Sequence, residues 1–146
     1  MFRNAATRSL RRPARVLIVD DDPLFAGTLA LLVGRHDDVA VVGCARDGAE
    51  AVDLALRLRP DVVLMDVQMP IMDGIEATRR IVTQLRSTRV VMITSCSDPD
   101  VAVRSFAAGA AAFVRKGCEP EKLLDEIAAA KPIPLTIHRA TPLPAG

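Results

Sequence analysis

The stretch Val-Leu-Ile-Val-Asp-Asp-Asp-Pro at residues 16–23 decides the fold class. Its four consecutive apolar residues predict a strand buried on both faces, because a half-exposed strand would alternate apolar and polar side chains. Three Asp residues and a Pro follow directly, and Asp followed by Pro is typical of the start of a helix. The stretch therefore predicts a buried strand that ends in a group of carboxylates and leads into a helix.

The same alternation of strand and helix recurs along the chain. Runs rich in Val, Ile, Leu and Ala predict four further strands at residues 39–44, 62–65, 90–93 and 112–114, and a helical pattern follows each of the five strands. Strands that are apolar throughout belong to a parallel sheet covered by helices on both faces. Right-handed crossovers then give a doubly wound α/β sheet, in which ligands bind at the carboxyl ends of the strands.

Length and composition indicate one compact domain with a tail at each end. The 146 residues are 50% hydrophobic, which suits a single core. We predict a basic disordered arm at residues 1–14, one domain at residues 15–130 and an extended Pro-rich tail at residues 131–146. The formal net charge of +1 conceals an acidic domain, because residues 16–130 contain 12 Lys and Arg against 18 Asp and Glu.

Composition also argues against several protein classes. The longest apolar runs, such as residues 106–114, are far shorter than the roughly 20 residues that cross a membrane. The N-terminal arginines precede no apolar block of the kind a secretion signal needs, so we expect a cytoplasmic protein. Cys44, Cys96 and Cys118 lack paired spacing, which indicates free thiols. The balanced charge gives no reason to expect direct nucleic-acid binding.

Polar residues concentrate where the predicted strands end. They are Asp20 and Asp21 after the first strand, Asp66 after the third, Thr94 and Ser95 after the fourth, and Lys116 near the end of the fifth. Two carboxylates about 4 Å apart repel by roughly 1–4 kcal/mol, so a cation must compensate. Oxygen ligands without nearby Cys or His favour Mg²⁺. A carboxylate beside Mg²⁺ and a Lys ammonium can attack a phosphoryl group, and Asp66 is the candidate nucleophile.

Asp residues at strand ends also serve as helix caps. We assign this structural role to Asp22, Asp47 and Asp98, because each precedes a predicted helix. Phe113, taken alone, is a core residue. Coincidence does not explain acidic residues at two strand ends together with a Lys at a third, so the carboxylate and Lys cluster is assigned to chemistry.

Four segments together carry a resemblance to a known family. They are Val-Leu-Ile-Val-Asp-Asp-Asp-Pro at 16–23, Leu-Met-Asp-Val-Gln-Met-Pro-Ile-Met-Asp-Gly at 64–74, Thr94-Ser95, and Gly-Ala-Ala-Ala-Phe-Val-Arg-Lys at 109–116. In order and spacing they closely resemble the receiver domain of two-component response regulators over about residues 15–130. The resemblance implies a flavodoxin-like (CheY-like) fold, with five parallel strands in the order 2-1-3-4-5 and five helices.

The resemblance also implies a role for each site residue. Asp66 would accept a phosphoryl group from the histidine of a sensor kinase, or from a phosphotransfer protein. Mg²⁺ would be bound by Asp21 directly, by Asp20 through water, by Asp66 and by the backbone carbonyl of Gln68. Thr94, Ser95 and Lys116 would contact the phosphoryl group, Phe113 would be the switch aromatic, and Pro70 and Gly74 would shape the loop after the nucleophile.

Two positions are implied to set the lifetime of the aspartyl phosphate. Gln68 and Cys96 lie two residues after Asp66 and Thr94, where family members control the attacking water. A thiol does not orient water as a carboxylate or an amide does, so we predict slow self-dephosphorylation. The run at residues 75–81 and the Gly at position 117, where many receivers have Pro, are most similar to the NarL/LuxR-type branch.

Three functional hypotheses remain open at this stage. The first is a signalling receiver whose phosphorylation alters the surface of the fourth helix, fifth strand and fifth helix, and so controls a partner or homodimerisation. The second is the regulatory fragment of a DNA-binding transcription regulator. A degenerate receiver that acts as a phosphorylation-independent scaffold is an alternative form of the first. The third, a phosphohydrolase, is disfavoured because Val67 and Gln68 follow Asp66 and supply no acid for a leaving group.

Overall fold

The computed structural model describes residues 12–130, and within them a five-stranded parallel sheet carries helices on both faces. The strands are β1 (Ala14–Val19), β2 (Val39–Ala45), β3 (Val62–Asp66), β4 (Arg89–Thr94) and β5 (Ala112–Arg115). The helices are α1 (Pro23–Gly34), α2 (Gly48–Leu58), α3 (Gly74–Gln84), α4 (Pro99–Ala107) and α5 (Pro120–Ala129). Most of the predicted basic arm and all of the predicted Pro-rich tail lie outside the described residues.

The sheet has the strand order β2-β1-β3-β4-β5, which confirms the predicted flavodoxin-like topology. Each strand begins or ends one or two residues beyond its predicted apolar run, because the hydrogen-bond ladder also includes polar residues such as Asp66 and Thr94. β1 and β3 are neighbours near the centre of the sheet. The helices that follow them, α1 and α3, pack on opposite faces of the sheet. The crevice at their carboxyl ends is where this topology binds ligands.

Two hydrophobic cores cover the two faces of the sheet. On one face, Ala51 and Ala55 of α2, Ile81 of α3 and Val101 of α4 pack against the strands. On the other face, Leu29 and Val33 of α1 and Leu123 and Ile127 of α5 do the same. The strands contribute side chains to both cores in alternation, which explains why their sequences are apolar throughout.

Four helices begin at an Asp side chain, and this fixes the loops at the carboxyl edge of the sheet. The carboxylates of Asp22, Asp47 and Asp98 accept backbone N–H groups at the start of α1, α2 and α4, which confirms their predicted capping role. Asp73 caps α3 in the same way. Negative charge at a helix N-terminus is also stabilised by the helix dipole.

Two arginines secure the start of β1 at the opposite edge of the sheet. Arg12 forms a two-point ion pair with Asp61, with N–O distances of 2.7 and 2.9 Å. Arg15 donates to the carbonyl oxygens of Leu58 and Arg59, where α2 ends and leaves carbonyls unpaired. The longest helix in the described range has 12 residues, and none there is long and apolar enough to cross a membrane.

Candidate functional site

Three carboxylates meet at the carboxyl ends of β1 and β3. Asp20 and Asp21 directly follow β1, and Asp66 is the last residue of β3. One ligand oxygen from each lies within 4.8 Å of the others. Asp20 and Asp66 are buried, with 2% and 5% of their surface exposed, whereas Asp21 is exposed at the opening of the site. The predicted acidic cluster is therefore assembled by the fold.

Lys116 places an ammonium group against this cluster. It directly follows β5, and its Nζ lies 2.9 Å from Oδ2 of Asp20 and 3.6 Å from Oδ2 of Asp66. Its backbone N–H donates to the carbonyl oxygen of Thr94, which fixes the start of the β5–α5 loop to β4. Burial alone would lower the pKa of Lys116, but the hydrogen bond to Asp20 and the charges of both carboxylates raise it above its usual value.

The carboxyl group of Asp66 has an unusual affinity for protons. Burial is the largest cause and the charge of Asp20 the next, and together they outweigh the opposing charge of Lys116 and raise the pKa of Asp66 to about 6. Near pH 7.5 the group is ionised but destabilised. Such a carboxylate is stabilised by protonation or by a new positive charge nearby.

Thr94 is the last residue of β4, which pairs with the end of β3 that carries Asp66, and Ser95 and Cys96 follow it. The Thr94 hydroxyl accepts the backbone N–H of Cys96 at 3.0 Å, a bond that does not use the hydroxyl's own proton. Ser95 is exposed. The Cys96 sulfur accepts the backbone N–H of Asp98, which ties it to the start of α4.

Phe113 lies on β5 and contacts α4. Its ring is half-buried and lies 6.4 Å from the ring of Phe106, centroid to centroid, at a tilt of 46°. Phe106 and Val103 of α4 are 50% and 65% exposed. The aromatic pair therefore connects β5 to a partly exposed apolar face of α4.

The β3–α3 loop that follows Asp66 is held by close backbone contacts. Gly74 donates its N–H to the carbonyl oxygen of Val67, and a Cβ at Gly74 would lie 2.0 Å from the carbonyl oxygen of Asp66. Between them, Ile71 adopts φ +71°, a value that is rare for a β-branched residue, and its side chain is 83% exposed. Gln68 is exposed in the first part of the loop, and Pro70 lies beside Ile71.

The donor set fits a hard divalent cation. Three carboxylates carry up to three negative charges, and Lys116 neutralises one of them. The cluster consists of oxygen ligands alone, which suits Mg²⁺ better than the softer transition metals. The exposed position of Asp21 also leaves an approach for water ligands, which Mg²⁺ retains.

Two features of the site were not predicted from the sequence. The ring of Phe25 in α1 lies against the ammonium of Lys116, with Nζ 4.5 Å from the ring centroid. Gly48, at the start of α2, contacts the loop after Asp66, where a Cβ would lie 2.3 Å from the carbonyl oxygen of Met72. The sequence offers only weak signals for them, because an aromatic in a first helical turn and a Gly after an Asp are both common. Gly117, at the position where many receivers have Pro, adopts φ +88°. Proline cannot adopt this value, because its ring fixes φ near −65°.

Comparison with known proteins identifies the family. Residues 16–128 match the family described as response regulator receiver domain. Protein-glutamate methylesterase/protein-glutamine glutaminase 4 of Myxococcus xanthus is 45% identical over 111 residues, and transcriptional regulatory protein LiaR of Bacillus subtilis is 40% identical over 116 residues. These alignments cover 75% and 80% of this chain but 31% and 55% of the two relatives. The chain thus spans about half the length of LiaR and a third of the other relative.

Comparison with a solved structure identifies the same family. A two-component response regulator of the LuxR family from Aurantimonas sp. superimposes with a TM-score of 0.75 at 32% identity, covering 87% of this chain and 94% of that one. The resemblance to the NarL/LuxR-type branch is therefore confirmed. Because the family match spans nearly all the described residues and the relatives share this topology, the chain belongs to the response regulator receiver domains of two-component signalling systems.

Proposed function

We propose that this receiver domain accepts a phosphoryl group on Asp66 from the phosphohistidine of a sensor kinase or a phosphotransfer protein. One observation carries the proposal: a buried carboxylate with a raised pKa lies beside Asp20, Asp21 and an ammonium group, at the carboxyl edge of the sheet. Transfer forms a bond between Asp66 Oδ and phosphorus and breaks the bond between phosphorus and the donor's histidine nitrogen.

The residues present would hold Mg²⁺ during this transfer. Asp21 and Asp66 would bind the ion directly, Asp20 through water, and the backbone carbonyl of Gln68 would complete the protein ligands. When bound, Mg²⁺ supplies positive charge to the phosphoryl oxygens and lowers the repulsion among the carboxylates. The support is the all-oxygen donor set within 4.8 Å.

Binding of the phosphoryl group would fall to Lys116, Thr94 and Ser95. Lys116 carries a full positive charge next to Asp66, and the bond from Cys96 to the Thr94 hydroxyl does not use the hydroxyl's own proton. A Thr94 hydroxyl drawn toward the phosphoryl group would pull the β4–α4 turn, because its oxygen accepts the Cys96 N–H. Phe113 packs beside α4, so this movement would reach the surface of α4, β5 and α5. We propose this surface as the output, acting on a partner or on a second copy.

The opening of the site favours a protein donor. Leu24 at the start of α1 and Ile71 in the β3–α3 loop are exposed by 79% and 83% on the same edge as Asp66. Exposed apolar side chains beside a reactive group are typical of a protein contact. Because a sensor kinase takes its phosphoryl group from ATP, we propose that the domain acts in the cytoplasm. In this proposal the chain accepts a phosphoryl group in a regulated way and does not turn over a substrate as an enzyme does.

Incubation with acetyl phosphate and Mg²⁺ tests the proposal. We expect intact-mass spectrometry to detect one phosphoryl adduct, with peptide mapping placing it on Asp66. Asp66→Asn should remove it entirely, whereas Asp53→Asn, which changes an exposed carboxylate on α2, should leave it unchanged. Absence of an adduct with acetyl phosphate and with a panel of charged histidine kinases, at saturating Mg²⁺, would overturn the proposal and favour a phosphorylation-independent scaffold.

Cys96 provides a prediction about the lifetime of the phosphorylated state. Its sulfur is occupied by the N–H of Asp98 and does not orient water, so we expect slow self-dephosphorylation. Cys96→Glu places a carboxylate acceptor there and should shorten the half-life of the adduct by about tenfold, less than the roughly 10²–10⁴-fold that a fully positioned general base contributes. The decay of the phosphorylated mass after removal of acetyl phosphate measures it. A half-life of seconds in the unmodified chain, unchanged in Cys96→Glu, contradicts the assignment.

A further inference from the structure

The ammonium of Lys116 has three neighbours in the site. Two are the carboxylates of Asp20 and Asp66, at 2.9 and 3.6 Å. The third is the ring of Phe25, whose centroid is 4.5 Å from Nζ, well inside the distance at which an aromatic face attracts a cation. Phe25 lies in the first turn of α1, on the opposite side of the sheet from α3 and α4.

The backbone of the β5–α5 loop does not by itself fix the Lys116 side chain. Its one hydrogen bond to β4, from the N–H of Lys116 to Thr94, positions the Cα but leaves a flexible four-carbon stem. The next residue, Gly117, has φ +88°. A Cβ added to it would have no other atom within 4 Å, so the backbone there is not closely packed. Side-chain contacts must therefore hold the ammonium in place.

An apolar cleft lies beside the side chain of Lys116. The cleft has a volume of about 110 Å³ and is lined by Phe25, Leu29, Leu123 and the stem of Lys116 itself, among other residues. Its wall is mainly apolar, so it offers Nζ few hydrogen-bond acceptors. The aromatic face of Phe25 is the part of this wall that attracts positive charge.

The ring holds the ammonium without using its hydrogen-bond donors. A Lys ammonium has three N–H donors, and a phosphoryl acceptor site needs one of them for a phosphoryl oxygen. Asp20, at 2.9 Å, occupies one, whereas Asp66, at 3.6 Å, is close enough for an ion pair but beyond hydrogen-bond distance. A carboxylate or carbonyl in the place of Phe25 would occupy a further donor, whereas the π-face attracts the charge and leaves the remaining donors free.

We infer that Phe25 is a positioning residue for phosphoryl transfer, which keeps the Lys116 ammonium between Asp20 and Asp66 with one N–H free for the phosphoryl group. This inference rests on the proposed role of Asp66 as phosphoacceptor. It predicts that Phe25→Leu slows phosphorylation by acetyl phosphate about two- to fivefold at saturating donor and Mg²⁺, as expected for loss of a partly exposed cation–π contact. Mg²⁺ affinity should change less than twofold, because Phe25 is not a ligand.

NMR spectroscopy reads out the contact without phosphorylation. The chain has three Lys residues, at positions 116, 122 and 131, so their side-chain signals are readily separated and assigned with Lys116→Arg. We expect the Lys116 methylene protons next to Nζ to be displaced upfield by the ring, and this displacement to disappear in Phe25→Leu. Leu123→Val is the matched control, because it enlarges the same cleft from α5 and leaves the ring of Phe25 in place. In that variant the upfield displacement of the Lys116 signals should remain.

Fluorination separates the electrostatic role of the ring from its packing. Phe can be replaced biosynthetically by 4-fluorophenylalanine and then by 3,4,5-trifluorophenylalanine. Each step weakens the negative potential of the ring face and barely changes the shape of the ring, so the rate of phosphorylation should fall stepwise. The chain has four Phe residues, and the same labelling in the Phe25→Leu background controls for the other three. There the rate should no longer depend on fluorination.

Each outcome bears on a different claim. A stepwise rate loss confined to chains that retain Phe25, together with the lost upfield displacement, supports the inference. Equal rates in the original chain and Phe25→Leu, fluorination effects that persist without Phe25, or a Lys116 signal without ring displacement overturn it. Absence of any phosphoryl adduct in the original chain, with the ring displacement present, refutes the proposed phosphoacceptor function and not the contact.

Discussion

Replacement of Gly74 by Ala is expected to lower the free energy of unfolding by about 3 kcal/mol or more. The added Cβ would lie 2.0 Å from the carbonyl oxygen of Asp66 and 3.0 Å from Cγ of Met65. The first contact is with backbone, so rotation of a side chain does not relieve it. Either α3 or the end of β3 must move, and movement of β3 displaces Asp66 from the carboxylate cluster.

Urea unfolding followed by circular dichroism at 222 nm measures the change, since the chain has no Trp or Tyr for fluorescence. Gly27→Ala is the matched control, because Gly27 lies inside α1 with no atom within 4 Å of its Cβ position. That variant should gain about 0.5–1 kcal/mol from the higher helix propensity of Ala. A Gly74→Ala chain as stable as the original would show that the loop after Asp66 is not rigidly packed.

Asp66→Asn is expected to raise the free energy of unfolding at pH 7.5 by about 1–3 kcal/mol in the absence of divalent cations. Burial and the charge of Asp20 raise the pKa of Asp66 to about 6, against about 3.9 in an unfolded chain. The folded chain therefore holds this proton more tightly than the unfolded chain. Stability from this group is complete below pH 4 and is lost as the pH rises from about 4 to about 6.

The difference between the two pKa values corresponds to roughly 3 kcal/mol at neutral pH. The Asn side chain avoids this cost, from which the attraction of Lys116 is already subtracted, because that charge is one of the causes that set the pKa of Asp66. The stability difference should shrink toward zero near pH 4, where both side chains are uncharged. Asp53→Asn, on an exposed part of α2, should change stability by less than about 0.5 kcal/mol at any of these pH values.

Mg²⁺ supplies a second test of the same electrostatics. A divalent cation bound by the cluster should stabilise the original chain more than Asp66→Asn, because the substitution removes one ligand charge. An Asn variant that is less stable than the original at pH 7.5, with a gap that does not change down to pH 4, would contradict the raised pKa. The buried carboxylate would then contribute to stability and not oppose it.

Much of the site could be predicted because its residues follow the strands directly. Asp20 and Asp66 lie at the ends of buried apolar runs, and parallel strands bring their carboxyl ends to one edge of the sheet. Lys116 joins them by the same rule. The capping residues Asp22, Asp47 and Asp98 were predictable for a similar reason, since a cap contacts backbone only two or three residues away.

Other contacts depend on residues that are distant in sequence. Phe25 is an ordinary aromatic residue of a helix until α1 packs beside α5 and its ring meets the side chain of Lys116, which precedes that helix. Gly48 gives only a weak sign in the sequence of its approach to Met72, because that contact exists only where α2 lies next to the β3–α3 loop. The ion pair of Arg12 with Asp61 likewise joins two segments whose charges, taken separately, suggest only solvated residues.

The sequence by itself determined the α/β topology, the acidic cluster and the candidate nucleophile of this receiver domain. Hydrophobic periodicity and the order of short motifs are local properties, and topology rules convert them into a single edge of one sheet. Only the tertiary structure decided how strongly Asp66 holds its proton and what holds the ammonium of Lys116. Those properties depend on burial and on distances of a few ångströms between separate elements, which pattern and spacing do not encode.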